Sequence, residues 1–340
     1  MRFQRTITVV GAQVGGEQND VITGGVLPPP GKTVFEQKCW MEQEGDWLRR
    51  WLLFEPRGKP TLCVNLVVPA CDPRAQAGFI IMESSDYPPM SGTNTICTAT
   101  VLLETGMVPM QEPETRLVLE SPAGLVPVLA TCRGGQVHRV QFTNVPAFAT
   151  HLDAAVEVPG LGTVRLDVAY GGAFFAIVDA PSLGFEIKPH EARDLVAMGQ
   201  RIKAAAAEQL PVVHPENPRI HTITFTEFAM PFAGPGTTCR NAVIVSPGRI
   251  DRSPCGTGTT ARLAALHARG RMAAGESFTS ASIIGSIFEA GIAEETRVGP
   301  YRAISATIAG QAWITGISQY GLDPSDPFRD GYTLPDLWFA

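Results

Sequence analysis

The chain has 340 residues, 44% of them hydrophobic and only 18% charged, which supplies a sizeable core and excludes wholesale disorder. At roughly 150 residues per domain, it makes about two domains. Its net charge of −6, from 27 basic and 33 acidic residues, argues against nucleic acid or an anionic membrane as the main partner, but not against a local site for a small anion.

The first part reads as strands, at residues 6–10, 47–54, 61–68 and 77–82, all apolar and β-prone. Pro88-Pro89 then breaks the chain. Residues 91–106 start with a hydroxyl in N-cap position and end in a glycine, which predicts a helix of about four turns. The run is apolar or small on nearly every face, so the helix is buried. Residues 116–120 and 125–129 form a hairpin around Ser121-Pro122-Ala123-Gly124, and 138–142 adds a strand. A linker is expected over 144–148, then strands at 162–168 and 174–178 on either side of Gly171-Gly172. Residues 189–209 form an amphipathic helix with Leu195, Met198, Ile202 and Ala205 on one stripe. Strands at 220–228 and 240–245, a helical stretch over 262–269, and strands at 282–288 and 303–308 complete the pattern.

Seven cysteines, Cys39, Cys63, Cys71, Cys97, Cys132, Cys239 and Cys255, form no C-x-x-C pair and read as reduced thiols of a cytoplasmic protein. No apolar stretch reaches the length of a membrane span, and the first residues read as a strand rather than a signal peptide. No metal-ligand spacing or dinucleotide fingerprint is present, so no metal and no cofactor is expected.

An internal repeat organises these elements. Set 164 residues apart without gaps, the blocks starting at Ser91 and Cys255 share Gly92/Gly256, Thr93/Thr257, Thr95/Thr259, Leu102/Leu266 and Gly106/Gly270. Ser91 and Cys255 are near-isosteres, and each block follows a proline-bearing loop. Each begins a helix whose first N–H groups lack an internal partner and sit at the positive end of the dipole, a setting suited to a carboxylate. Facing each other, two such starts would hold one carboxylate and present an Oγ and an Sγ to the adjoining carbon. A thiol at a helix N-terminus is expected to have a lowered pKa. That equipment suits proton abstraction α to a carboxylate. One base on each face would invert the centre; one base and a β leaving group would eliminate water. Asp251, in the charged loop Asp251-Arg252-Ser253-Pro254, reads either as a hydrogen-bond partner for a substrate ammonium or as an exposed turn residue.

These residues resemble the proline racemase family, which includes hydroxyproline 2-epimerases and trans-3-hydroxy-L-proline dehydratases. The resemblance runs over nearly the whole chain through Gly15-Gly16-Glu17, Glu55-Pro56-Arg57-Gly58, Pro89-Met90-Ser91-Gly92, Ala169-Tyr170-Gly171-Gly172, Glu191-Ala192-Arg193-Asp194-Leu195 and Asp251–Gly258. It implies an α/β (α+β) fold like diaminopimelate epimerase: two similar domains, each a mixed sheet wrapped round a central helix, with the site in the cleft between them. The first domain would comprise 1–145 plus 311–340 and carry Ser91. The second would comprise 146–310 and carry Cys255, with the last strand, near 313–318, returning to the first. Substrate contacts would come from Gly92, Thr93, Gly256 and Thr257, with Asp251 on the amine and Ser91 and Cys255 as the catalytic pair.

Two departures from the racemase pattern stand out. Thr93 occupies the place of a histidine, and Ser91 occupies the place of a cysteine. His221 could substitute for the missing histidine, but it reads first as a surface histidine at a strand start. Ala173, Phe174 and Phe175 are expected to shape the ring pocket. The broken cysteine pair, with the sequence around 20–30 and 322–327, points first to a cofactor-independent trans-3-hydroxy-L-proline dehydratase giving Δ1-pyrroline-2-carboxylate. The alternative is a 4-hydroxyproline 2-epimerase, alone or combined with dehydration. Proline racemase proper and a non-catalytic amino-acid-binding protein rank lower. The expected partner is a small imino acid, and the expected assembly a monomer or homodimer.

Overall fold

A computed structural model describes residues 3–245 and 248–338, and the chain divides into two units, Met1–Phe142 with Gly310–Ala340, and Thr143–Ala309. The first unit opens with β1 (Arg5–Val14) and β2 (Glu17–Gly24), an antiparallel hairpin. Two helices follow, α1 (Val34–Gln43) and α2 (Trp47–Leu53), then β3 (Leu62–Val68) and β4 (Ala77–Met82). Helix α3 (Gly92–Glu104) leads to the meander β5 (Glu114–Ser121), β6 (Gly124–Arg133) and β7 (Gln136–Thr143).

The second unit contains β8 (Ala147–Val158), β9 (Gly162–Tyr170), β10 (Phe174–Asp179), α4 (Ala192–Gln209), β11 (Ile223–Ala229), β12 (Thr238–Val245) and the short β13 (Arg249–Ile250). Helix α5 (Gly256–Ala268) precedes β14 (Ser277–Ala281), β15 (Ile287–Val298) and β16 (Tyr301–Gly310). The last strand, β17 (Ala312–Leu322), pairs antiparallel with β1 in the first unit from Arg5 opposite Leu322 to Val14 opposite Ala312.

The two units repeat one pairing scheme. In the first, the ladder runs β17-β1-β2-β3-β4-β5-β6-β7, parallel only at β2/β3 and β4/β5. In the second it runs β8-β9-β10-β11-β12-β14-β15-β16, parallel only at β10/β11 and β12/β14. Parallel neighbours need a crossover, and the helices supply it: α1 with α2, then α3, in one unit; α4, then α5, in the other. Pairing of Phe148 and Ala147 with Ala303 and Ile304 joins β8 to β16 and closes the second ladder into a ring.

Helices α3 and α5 are 13 residues each and keep the 164-residue offset at both ends. Both are buried almost all round, α3 against β1, β2, β3 and β17, α5 against β8, β9, β10 and β15. Both end on a left-handed glycine, Gly106 at φ 74° and Gly270 at φ 69°, where a side chain would be strained. The outer helices cover the apolar cores: Leu48, Trp51 and Leu53 with Ile22, Leu66 and Ile80 in the first unit, and Leu195 and Ile202 with Phe174, Phe228 and Ile244 in the second.

Several sequence expectations need correction. Residues 47–53 form a helix, because Leu48, Trp51 and Leu52 recur at helical rather than alternating spacing and bury one face. The strand expected over 282–288 is a hairpin turn: Ser282 accepts from Gly285, which sits at φ 83°, and donates to Ser286. The helix expected over 189–209 begins with a 3₁₀ turn, Pro189–Glu191. The linker expected over 144–148 is shorter, since β8 already starts at Ala147. Phe174 and Phe175 are fully buried, Phe174 against Phe148 and Tyr170 and Phe175 against Phe225, and so belong to the core rather than to a ring pocket. Among the described residues, no helix is long and apolar enough to cross a membrane.

Candidate active site

The start of α3 is a neutral hydrogen-bond network. Ser91 is the N-cap, half-buried, with extended φ and ψ of −151° and 129°. Its side chain makes no cap bond, so it leaves the first-turn amides of Gly92 and Thr93 to other acceptors. Asn94 Nδ2 donates to Ser91 Oγ at 2.9 Å, and Asn65 Nδ2, from β3, donates to Asn94 Oδ1 at 2.8 Å. Ser91 Oγ lies 3.3 Å from Thr93 Oγ1, which donates to Asn19 Oδ1 at 3.4 Å. Among the described residues, every hydrogen-bond partner of the Ser91 hydroxyl is therefore uncharged, and none is a base that would take its proton.

The start of α5 differs in backbone and charge. Cys255 is its N-cap at φ 59° and ψ 103°, a conformation that costs a non-glycine residue about 1–3 kcal/mol. The loop before it supplies the constraint. Asp251 Oδ1 accepts from Ser253 N at 2.9 Å and from Ser253 Oγ at 2.8 Å, and Ser253 Oγ accepts from Cys255 N at 3.0 Å. Pro254 O accepts from Asn241 Nδ2 at 2.9 Å and from Thr259 Oγ1 at 3.0 Å. Cys255 Sγ accepts from Gly258 N at 3.4 Å and lies 3.5 Å from Thr257 Oγ1.

The Cys255 thiol is held well above its ordinary value of 9.0, first by burial and then by the Asp251 charge; Thr257 and the Gly258 amide oppose this, and Glu227 adds to it. The lowered pKa expected of a helix-start thiol is thus corrected: removing the sulfur from water outweighs the helix dipole, which is worth about 0.3–1 kcal/mol. At neutral pH the side chain carries its proton.

The sequence-derived residues fall as follows. Ser91, Gly92 and Thr93 form the α3 start in the first unit; Asp251, Cys255, Gly256 and Thr257 form the loop and α5 start in the second. His221 is exposed just before β11 and, among the described residues, makes no hydrogen bond to any of these side chains. Sequence reasoning missed the side chains beneath each start: Asn19, Asn65 and Asn94 in one unit, Glu227 and Asn241 in the other. The available signal was a lone polar residue inside an apolar strand, as in Leu62-Cys-Val-Asn-Leu-Val-Val68. Among the described residues, no group of three or more His, Cys, Asp or Glu side chains is placed to hold a metal ion.

Comparison with known proteins gives a consistent picture. Residues 9–333 match the family model described as proline racemase. The chain is 44% identical, with a TM-score of 0.92, to a hydroxyproline epimerase from Agrobacterium vitis solved with bound trans-4-hydroxy-L-proline; the match covers 99% of this chain and 98% of that one. It is also 44% identical, with a TM-score of 0.90, to a probable proline racemase from Agrobacterium radiobacter K84 solved with bound carbonate, covering 98% of each. A Bacillus anthracis phenazine biosynthesis protein of the PhzF family shares the fold alone, at 12% identity and a TM-score of 0.58 over 94% of this chain and 99% of that one. The architecture is the α/β, diaminopimelate epimerase-like one that the sequence led us to expect.

Proposed function

The chain belongs to the proline racemase family and is an enzyme of the racemase and epimerase type, and from that premise we propose that it inverts the α-carbon of a free hydroxyproline, acting as a 4-hydroxyproline 2-epimerase. The observation that carries the reading is the matched pair of helix starts, each presenting first-turn amides and one proton-bearing side chain. The substrate carboxylate is held by amides of Gly92, Thr93, Gly256 and Thr257, whose fixed dipoles stabilise the charge that develops when Cα loses its proton. Asp251 receives the substrate amine. Cys255, as thiolate, takes the Cα proton on one face, and the carbanion is reprotonated from the Ser91 side on the other.

The likeness to the A. vitis epimerase supports inversion better than the water loss that the sequence put first. Dehydration of trans-3-hydroxy-L-proline stays as a second reading because of Ser91. Its neutral surroundings make it a poor base, whereas a departing hydroxyl needs a proton donor.

The test is incubation of the purified protein with trans-4-hydroxy-L-proline in D2O, followed by NMR. The expected result is deuterium at Cα with inversion at that carbon. Absence of both, beside a working positive control, rejects the reading. Imine from trans-3-hydroxy-L-proline, trapped with o-aminobenzaldehyde, selects the second one. In either case Cys255→Ser should lower kcat by about 10²–10⁴-fold, the usual contribution of a positioned acid or base.

A further inference from the structure

Beneath Cys255 lies a buried acid that the reaction above does not use. Glu227, on β11, is fully buried. Its Oε1 accepts from Asn241 Nδ2 at 2.9 Å, and the same Nδ2 donates to Pro254 O, the carbonyl immediately before Cys255. Its Oε2 has no hydrogen-bond partner among the described residues. A buried carboxylate oxygen without a partner is costly and calls for an explanation.

The position of that oxygen supplies one. A Cβ built on Gly258 would lie 2.9 Å from Val243 Cγ2, 3.2 Å from Glu227 Oε2 and 3.3 Å from Cys255 Sγ, too close for a side chain, so the carboxylate oxygen and the sulfur both pack against this glycine. In the first unit the corresponding residue of α3 is Asn94. Its amide ties Ser91 to Asn65, a residue of β3, the strand that β11 matches in the pairing scheme. The second unit thus replaces a fixed neutral bridge with an ionisable carboxyl group packed against the same glycine as the thiol. Burial raises the Glu227 carboxyl above its ordinary 4.5, against the Arg262 charge and the Asn241 bond. The charged groups acting on the pair are Asp251, from the loop, and Arg262, from α5, whose buried Nη1 also lacks a partner. From β12 the neighbours are Asn241 and the apolar Val243.

We propose that Glu227 is a positioning residue that shares a single negative charge with Cys255. When the thiolate is needed, the S–H bond breaks and an O–H bond forms on Glu227: Cys–SH and Glu–COO⁻ become Cys–S⁻ and Glu–COOH. Asn241 keeps the carboxyl in register with the loop that carries the thiol. The inference rests on Cys255 as the acid–base group, yet its test needs no substrate.

The rate at which iodoacetamide alkylates Cys255 in the intact protein reads its thiolate fraction, followed by mass spectrometry of the Cys255 peptide from about pH 6 to 11. Two groups sharing one charge titrate as a pair. The wild-type rate should therefore rise in two steps separated by a plateau. Glu227→Gln keeps the shape and the Asn241 contact but cannot take the proton. Its rate should rise in one step, at least about tenfold above wild type around the upper step, because a like charge no longer opposes the thiolate. At the same time its kcat should fall. A single-step wild-type curve overturns the proposal, even if the variant fails to fold, as does a Gln variant whose curve superimposes on wild type. Loss of packing alone would not convert two steps into one. Failure of the epimerase reading would show as no turnover and leave the alkylation curves untouched.

Discussion

Cys255 and Ser91 hold the same place in two matched helices, yet their surroundings treat a proton differently. Around Ser91 the hydrogen-bond partners among the described residues are amides and hydroxyls, so giving up a proton leaves an alkoxide that none of these partners neutralises. Around Cys255 burial and acidic neighbours also oppose ionisation, but a thiol starts several units closer to neutrality than an alcohol. Ser91 should therefore limit inversion. Ser91→Cys, which differs by one atom, should raise kcat for epimerisation by about tenfold or more, read by polarimetry, and should not raise imine formation from trans-3-hydroxy-L-proline. A slower epimerase in this variant would show that the Oγ does more than relay a proton. Ser91, Cys255 and their Gly-Thr neighbours were legible because a helix start is a local signature. Glu227, Asn241 and Asn65 were not, because each reaches the helix start from a strand distant in sequence, and no spacing rule reports such a meeting. The thiol pKa was misjudged because burial is a property of the folded chain.

At the scale of elements, the helix starts are held by close backbone packing. Gly171, just after β9, has room for no side chain: a Cβ there would lie 2.3 Å from Thr257 O and 2.4 Å from Ala261 N. The Ala-Tyr-Gly-Gly stretch is thus the bed on which the first turn of α5 rests. Asn144 reinforces it, donating to Gly171 O and to Thr260 Oγ1, both at 3.0 Å. Gly171→Ala must displace α5, since the blocking atoms are backbone. We expect a loss of about 1–3 kcal/mol of stability by urea unfolding, together with a lower kcat at unchanged Cys255 content. Wild-type stability and activity in this variant would show that α5 shifts without consequence. The sequence exposed the long buried elements well, since apolar runs such as Ala-Gly-Phe-Ile-Ile-Met in β4 leave little choice. It failed at α2, where seven residues are too few for alternation and helical period to separate by eye. Helix α1 and strand β2 were not anticipated at all. Both are rich in polar residues and show weak periodicity.

The whole molecule repeats one plan twice, and the repeat was visible in the sequence only where α3 and α5 begin and end. The strands around them share pairing sense without sharing residues, because a ladder is built from backbone groups. The first unit depends on its return strand: β17 covers β1 along the full length of that strand. A chain stopped at Ala309 leaves that edge of β1 unpaired while the second unit keeps every strand of its ring. Such a truncation should lose the unfolding transition of the first unit and keep that of the second, read by limited proteolysis and calorimetry. Survival of both would mean that β1 needs no partner on that side.

The return strand also sets a timetable for synthesis. When the ribosome has added Gly310, every strand of the second unit exists, whereas β1 is paired with β2 alone and still lacks its β17 neighbour. A strand that precedes the whole second unit in the chain is thus completed only after it, against the usual order in which units finish one after another along the chain. Until β17 arrives, the newborn protein carries an open β edge. A chaperone that shields such edges would have its longest opportunity there.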